Sequence, residues 1–121
     1  MRMLTDGTQK YTQAFSVDER GAGNSCHQYV VKETPVVSDM ETKTFATINF
    51  QNGPIGEAGI NGVHNEDLLV IVLDRLKSFQ SGDFKCRENA IALTKLEEAL
   101  MWLNKRTSER VKRGVEGTYI V

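Results

Sequence analysis

Arg106, Arg110 and Arg113 stand at i, i+4 and i+7 within residues 104–113, which read NKRTSERVKR. On a helix at 100° per residue these three fall within an arc of about 60°, so their guanidinium groups project from one side. Arginine offers a planar, permanently charged fork that grips phosphate oxygens in pairs, which lysine cannot do. The stretch holds five basic side chains against one acid, Glu109. The alternative reading stays open, because cations near a helix C-terminus also complement its dipole on an ordinary solvated face.

A second pair suits a different part of a nucleotide. Phe79 and Asn89 flank a short loop, and an aromatic face with a side-chain amide can stack on adenine while meeting its donor and acceptor edge. Equally, Phe79 reads as a core residue and Asn89 as a first-turn helix residue. His27 and His64 have no carboxylate or serine at motif spacing and read as strand-surface or cap residues. The glycines at 53, 56, 59 and 62 lack the G-K-[ST] of a phosphate-binding loop. Asp74, Glu97 and Glu98 read as solvated helix charges. No nucleophile, base and oxyanion donor assemble, which points to binding without turnover.

These residues need elements to position them, and 121 residues suffice for one domain. The expected class is α+β, a single domain over 1–121. A small N-terminal antiparallel sheet occupies about 8–55, and an antiparallel helical hairpin with a long second helix occupies about 64–114. Strands are expected over Tyr11–Val17, Cys26–Lys32 and Lys43–Phe50, with Pro35 as a break. The glycine run at 53–62 reads as a pliable loop, and Asn65 as the N-cap of a helix reaching Gln80. The second helix runs from about Arg87 to Arg113 with Gly114 at its C′ position, roughly 40 Å long. Leu93, Leu96, Leu100 and Leu103 form its seam, while Ala92, Ala99 and Trp102 lie on another stripe that one partner helix cannot cover. That surplus predicts a homo-oligomer.

Bulk properties exclude several classes. The longest apolar run, Leu68–Leu73, is six residues, far short of the roughly 20 needed to span a bilayer. A net charge of −1 disfavours long nucleic acids. Cys26 and Cys86 lie in different halves without a ligand cluster, so neither a disulfide framework nor a metal site is expected, and a reducing cytoplasm is the natural setting.

Three segments, 59–69 (GINGVHNEDLL), 86–99 (CRENAIALTKLEEA) and 106–118 (RTSERVKRGVEGT), together resemble the helical hairpin shared by two phage immune-evasion families. One counters Thoeris defence, and the other is the anti-CBASS sponge for cyclic oligonucleotides. The resemblance covers roughly 53–118. Since the anti-CBASS sponge is essentially all helical, the β-rich first half aligns this chain with the Thoeris anti-defence family.

That resemblance implies a protein that sequesters glycocyclic ADP-ribose without degrading it, in the cytoplasm of an infected bacterial host and with no cofactor. It implies that Phe79 and Asn89 hold the adenine, and that Arg106 and Arg110 reach in from a neighbouring subunit to hold the pyrophosphate. It further implies dimers assembled into a hexamer, where Arg113, Gly117 and Thr118 line a site for cyclic trinucleotides. Two alternatives remain: a nucleotide-hydrolysing enzyme using His27 or His64, and a small nucleic-acid-binding regulator using the basic helix end.

Overall fold

The computed structural model describes residues 1–7, 10–34 and 42–121. The chain divides into two compact units, Met1–Val63 and His64–Val121. The first is a four-stranded antiparallel meander of β1 (Arg2–Met3), β2 (Thr12–Ser16), β3 (Gln28–Glu33) and β4 (Thr44–Asn49), in that spatial order. The second is a helical hairpin of α2 (Asn65–Gln80) and α3 (Arg87–Arg113), preceded in the first unit by the short α1 (Ile55–Ala58). The α+β class and its order along the chain are those expected; Pro35 lies outside the described residues.

β2 and β4 fall within their expected spans and β3 runs one residue past its own, to Glu33, but β1 and a 3₁₀ turn at Ala22–Asn24 carry too few residues for a periodic signal. The register sets Phe15 opposite Val30 and Tyr29 opposite Ile48, and the Tyr29 and Phe50 rings meet edge to face at 5.5 Å. Ala46, Ile48 and Phe50 share the partly buried face of β4, while Phe45 on the opposite face is exposed. Period-two alternation produces this division. Phe15 is buried, and so is its neighbour Ser16, whose hydroxyl accepts from Arg2 Nε at 3.2 Å.

The glycine run is not the pliable loop its composition suggests. Gln51 Nε2 donates to the carbonyls of Gly53 (3.0 Å) and Gly59 (2.7 Å), and its Oε1 accepts from the Asn61 amide at 2.9 Å. Asn61 returns two bonds to the Asn52 main chain. A Cβ on Gly62 would lie 2.5 Å from the Phe50 carbonyl carbon, because Val63 pairs with Phe50 in a parallel bridge. Glycine there permits backbone-to-backbone approach.

The hairpin follows its sequence signals closely. Helix α2 ends at Gln80 and α3 spans the expected Arg87–Arg113. One cap differs: His64, not Asn65, is the N-cap of α2, and its main-chain N–H donates to the Asp67 carboxylate at 2.8 Å. Half-buried leucines at 69, 73 and 76 of α2 and at 93, 96, 100 and 103 of α3 lie along the packed helices. Ala99 is half-buried with them, whereas Ala92 and Trp102 are exposed. Two helices have one shared seam, so no apolar side chain on α2 or α3 is fully buried.

Candidate functional site

The tip of the hairpin is built by the last turn of α2, the loop at 81–86 and the first turn of α3. Phe79 is half-buried, and its ring meets the Phe84 ring at a centroid distance of 6.0 Å and 82°. The Arg75 guanidinium lies over the Phe79 ring, 5.1 Å from its centroid. Arg75 and Phe79 are four residues apart on one helix face, which brings them together. Asn89 Nδ2 donates to the Phe84 carbonyl at 3.4 Å. Phe84 thus joins the two residues singled out for adenine: its ring touches one and its main chain the other. Gln80 Oε1 accepts from the Cys86 amide at 2.9 Å, and Cys86 Sγ caps α3 by accepting from the Asn89 amide.

The far end of α3 has a different character. Gly114 takes a left-handed φ of 72°, its N–H bonds to the Val111 carbonyl, and the Val115 N–H reaches back to the Arg110 carbonyl. This is a Schellman closure, with glycine at the one position where a Cβ would be strained. It turns residues 115–121 back over the helix end, onto Arg110. The Arg110 side chain donates from Nε to Glu116 Oε2 at 3.0 Å, from Nη2 to the carbonyls of Val115 (2.9 Å) and Thr118 (3.1 Å), and from Nη1 to that of Ile120. Only 6% of Arg110 is exposed, and it is the one buried residue on α3.

Its neighbours in the row differ. Arg113 donates from Nη2 to the Val121 main-chain oxygen at 2.8 Å while remaining exposed. Arg106 is exposed and has no hydrogen-bonding or ionic partner among the described residues. Gly117, at a left-handed φ of 79°, and Thr118 belong to the folded tail, where the Thr118 hydroxyl donates to the Val115 carbonyl and accepts from the Ile120 amide at 3.2 Å.

The structure gathers Phe79 and Asn89 at one end of the hairpin, and Arg106, Arg110, Arg113, Gly117 and Thr118 towards the other. It does not bring the two groups together within a chain. Asn89 and Arg106 stand seventeen positions apart on unbroken α3, roughly 26 Å at the helical rise. That is too far for one small cyclic nucleotide to bridge.

The histidines are committed locally. His27 is buried, not on a strand surface, and its Nε2 donates to the Ala22 carbonyl at 2.9 Å. The Asp18 carboxylate accepts from the His27 amide at 3.0 and 3.1 Å and from the Gln28 amide at 3.1 Å. The His27 amide, above all, holds that carboxyl below its ordinary range, with desolvation opposing. His64 caps α2, its Nδ1 3.9 Å from Asp67 Oδ2. Among the described residues no three His, Cys, Asp or Glu side chains gather as for a metal ion, and no helix is long and apolar enough to cross a membrane.

A meander sheet followed by a hairpin with an aromatic–amide tip and an arginine-bearing end defines a small two-part α+β protein. Residues 42–108 match the family model described as the Acb2/Tad1 hairpin domain. The chain is also 48% identical to Thoeris anti-defense 1 of Bacillus phage SBSphiJ7, over 91% of each chain. The protein belongs to the Acb2/Tad1 hairpin family. The family match ends before Arg110, whereas the segments that suggested it in sequence extend to Thr118.

Proposed function

We propose that this protein captures glycocyclic ADP-ribose inside an infected bacterium and holds it unchanged, so that a Thoeris effector is deprived of its signal. The observation that carries this reading is the 48% identity, along nearly the whole chain, to a phage protein named for Thoeris anti-defence. The geometry supports it. Phe79 and Asn89 offer a stacking face and an amide at one end of the hairpin, and Arg106 offers a guanidinium unpartnered among the described residues towards the other.

Because these ends lie roughly 26 Å apart, a complete site needs two copies, the tip of one meeting the arginines of another. The exposed Trp102 and Met101 on α3 supply apolar surface for such a pairing. Arg106 takes the pyrophosphate. Arg110 joins that grip by exchanging the tail's oxygens for those of the ligand. Dimers then build a hexamer, in which Arg113, Gly117 and Thr118 face a separate site for cyclic trinucleotides.

A sponge that outcompetes an effector at nanomolar levels needs about −12 kcal/mol. Base stacking at about 1–3 kcal/mol and charge-assisted hydrogen bonds at about 1.5–3 kcal/mol each reach that only together, on groups already held in place. Rigid helices hold them here. The test is to incubate the protein with glycocyclic ADP-ribose, remove unbound ligand, denature by heat and identify what is released. Intact nucleotide is expected; a cleaved product would replace the sponge with a hydrolase.

A further inference from the structure

At the hairpin tip, Phe84 is 76% exposed, although a loop phenylalanine gains nothing from water. Its ring stands at 82° to that of Phe79, so a flat base lying parallel to one ring turns its edge towards the other. Beside this corner, the exposed Arg75 rests its guanidinium on the Phe79 ring at 5.1 Å. That distance is a loose surface contact, and such contacts are weaker than the stacking of a base on an aromatic ring. Guanidinium planes also stack on bases. Arg75 therefore occupies a place that a base can take, and can then cover the base from the opposite side.

We propose that Phe84 and Arg75 complete the base-binding site, with the purine inserted between the Phe79 ring and the Arg75 guanidinium and Phe84 closing one side. This rests on the nucleotide-capture reading and deepens it: the tip becomes a three-sided cradle for a purine base. The Asn89 amide, held by the Phe84 carbonyl at 3.4 Å, stands at the same corner, where its Oδ1 can accept from an exocyclic amine. The cradle belongs to a single hairpin tip, so it recognises the base independently of the arginines that take the phosphates.

The experiment is isothermal titration of the full chain with glycocyclic ADP-ribose, comparing wild type with Phe84→Ala, Phe84→Tyr, Arg75→Ala and Arg75→Lys. Phe84→Ala is expected to weaken binding about tenfold, and Phe84→Tyr to restore it. Arg75→Ala and Arg75→Lys are expected to weaken it alike, by about three- to tenfold, because an ammonium cannot stack flat. The salt dependence of binding should be unchanged by Phe84→Ala, as a phosphate contact would not allow. Unchanged melting temperatures would show that the fold survives. Wild-type binding with all four variants within twofold of it overturns the cradle and leaves the sponge standing. Full affinity in Arg75→Lys alone overturns the stacking role of Arg75. No binding by wild type overturns both readings.

Discussion

The two ends of one hairpin carry the same kinds of polar groups and use them in opposite ways. At the tip, Phe84 is exposed, Arg75 lies loosely on Phe79, and Asn89 holds a single long side-chain hydrogen bond. At the other end, Arg110 is buried with four acceptors around it, all from the chain's own residues 115–120. The tip leaves its groups available to a ligand. The far end has closed one of its arginines on itself while leaving Arg106 open. A row of equally spaced arginines is therefore not a row of equivalent sites, because burial and hydrogen-bond saturation separate a guanidinium that must first release its own tail from one already available.

The sharpest way to break this contrast is at its most saturated point. Arg110→Ala leaves several tail carbonyls and Glu116 without their donor, and is expected to cost about 2–3 kcal/mol. Chemical denaturation would read the loss, and limited proteolysis should show residues 115–121 becoming cleavable. Arg110→Lys should recover only part of it, since one ammonium cannot replace the fork. A fully stable Arg110→Ala protein with a protected tail would remove the distinction between the two ends.

The next effect concerns the separation of the ends. Phe79→Ala and Arg106→Ala should each weaken nucleotide binding at least tenfold, about 1.4 kcal/mol. Co-refolding the two variants should restore tight sites, because a mixed pair has one site with an intact Phe79 from one copy and an intact Arg106 from the other. Titration stoichiometry measures this directly. A mixture as poor as either variant alone would place the whole site within a single chain, or elsewhere.

Smaller effects test the turns that set up each region. Gly114→Ala forces a Cβ into a left-handed φ and should cost about 1 kcal/mol in thermal denaturation, loosening the tail without touching the tip. In the sheet unit, Asp18→Asn weakens the grip on the His27 and Gln28 amides. Since the folded carboxyl titrates below its ordinary range, its stabilising contribution is complete above the unfolded aspartate value of about 3.9. That contribution is lost as pH falls through the lowered folded value. The melting difference between wild type and Asp18→Asn should therefore be present at pH 7 and shrink towards pH 3. A difference that grows with acid would show that the carboxylate does not stabilise this turn.

Much of the fold was legible in the residues. The spans of α2 and α3, the Schellman glycine at 114 and the three longer strands follow from local periodicity and turn chemistry, which act over a few residues. The stitching of 51–62 is not legible in composition, because glycine content reports conformational freedom and says nothing of the Gln51 and Asn61 side chains that remove it. At the hairpin tip, the i, i+4 spacing of Arg75 and Phe79 is legible in the sequence. The contact of Phe84 with Phe79 is not, because a loop residue's ring direction has no periodic signature.

The sequence by itself determined that a long helix ends in three arginines on one side, and that an aromatic and an amide bracket the loop at its start. Only the tertiary structure decided which arginine is without a partner among the described residues. The partners of Arg110 are mostly main-chain carbonyls, which every residue carries, so no choice of side chains in 115–120 announces them. The separation of the two ends was implicit in helix length, but it acquired meaning only once α3 proved continuous from Arg87 to Arg113. A rigid rod with chemistry at each end cannot fold back on itself, which is why the site proposed for one ligand draws on two copies.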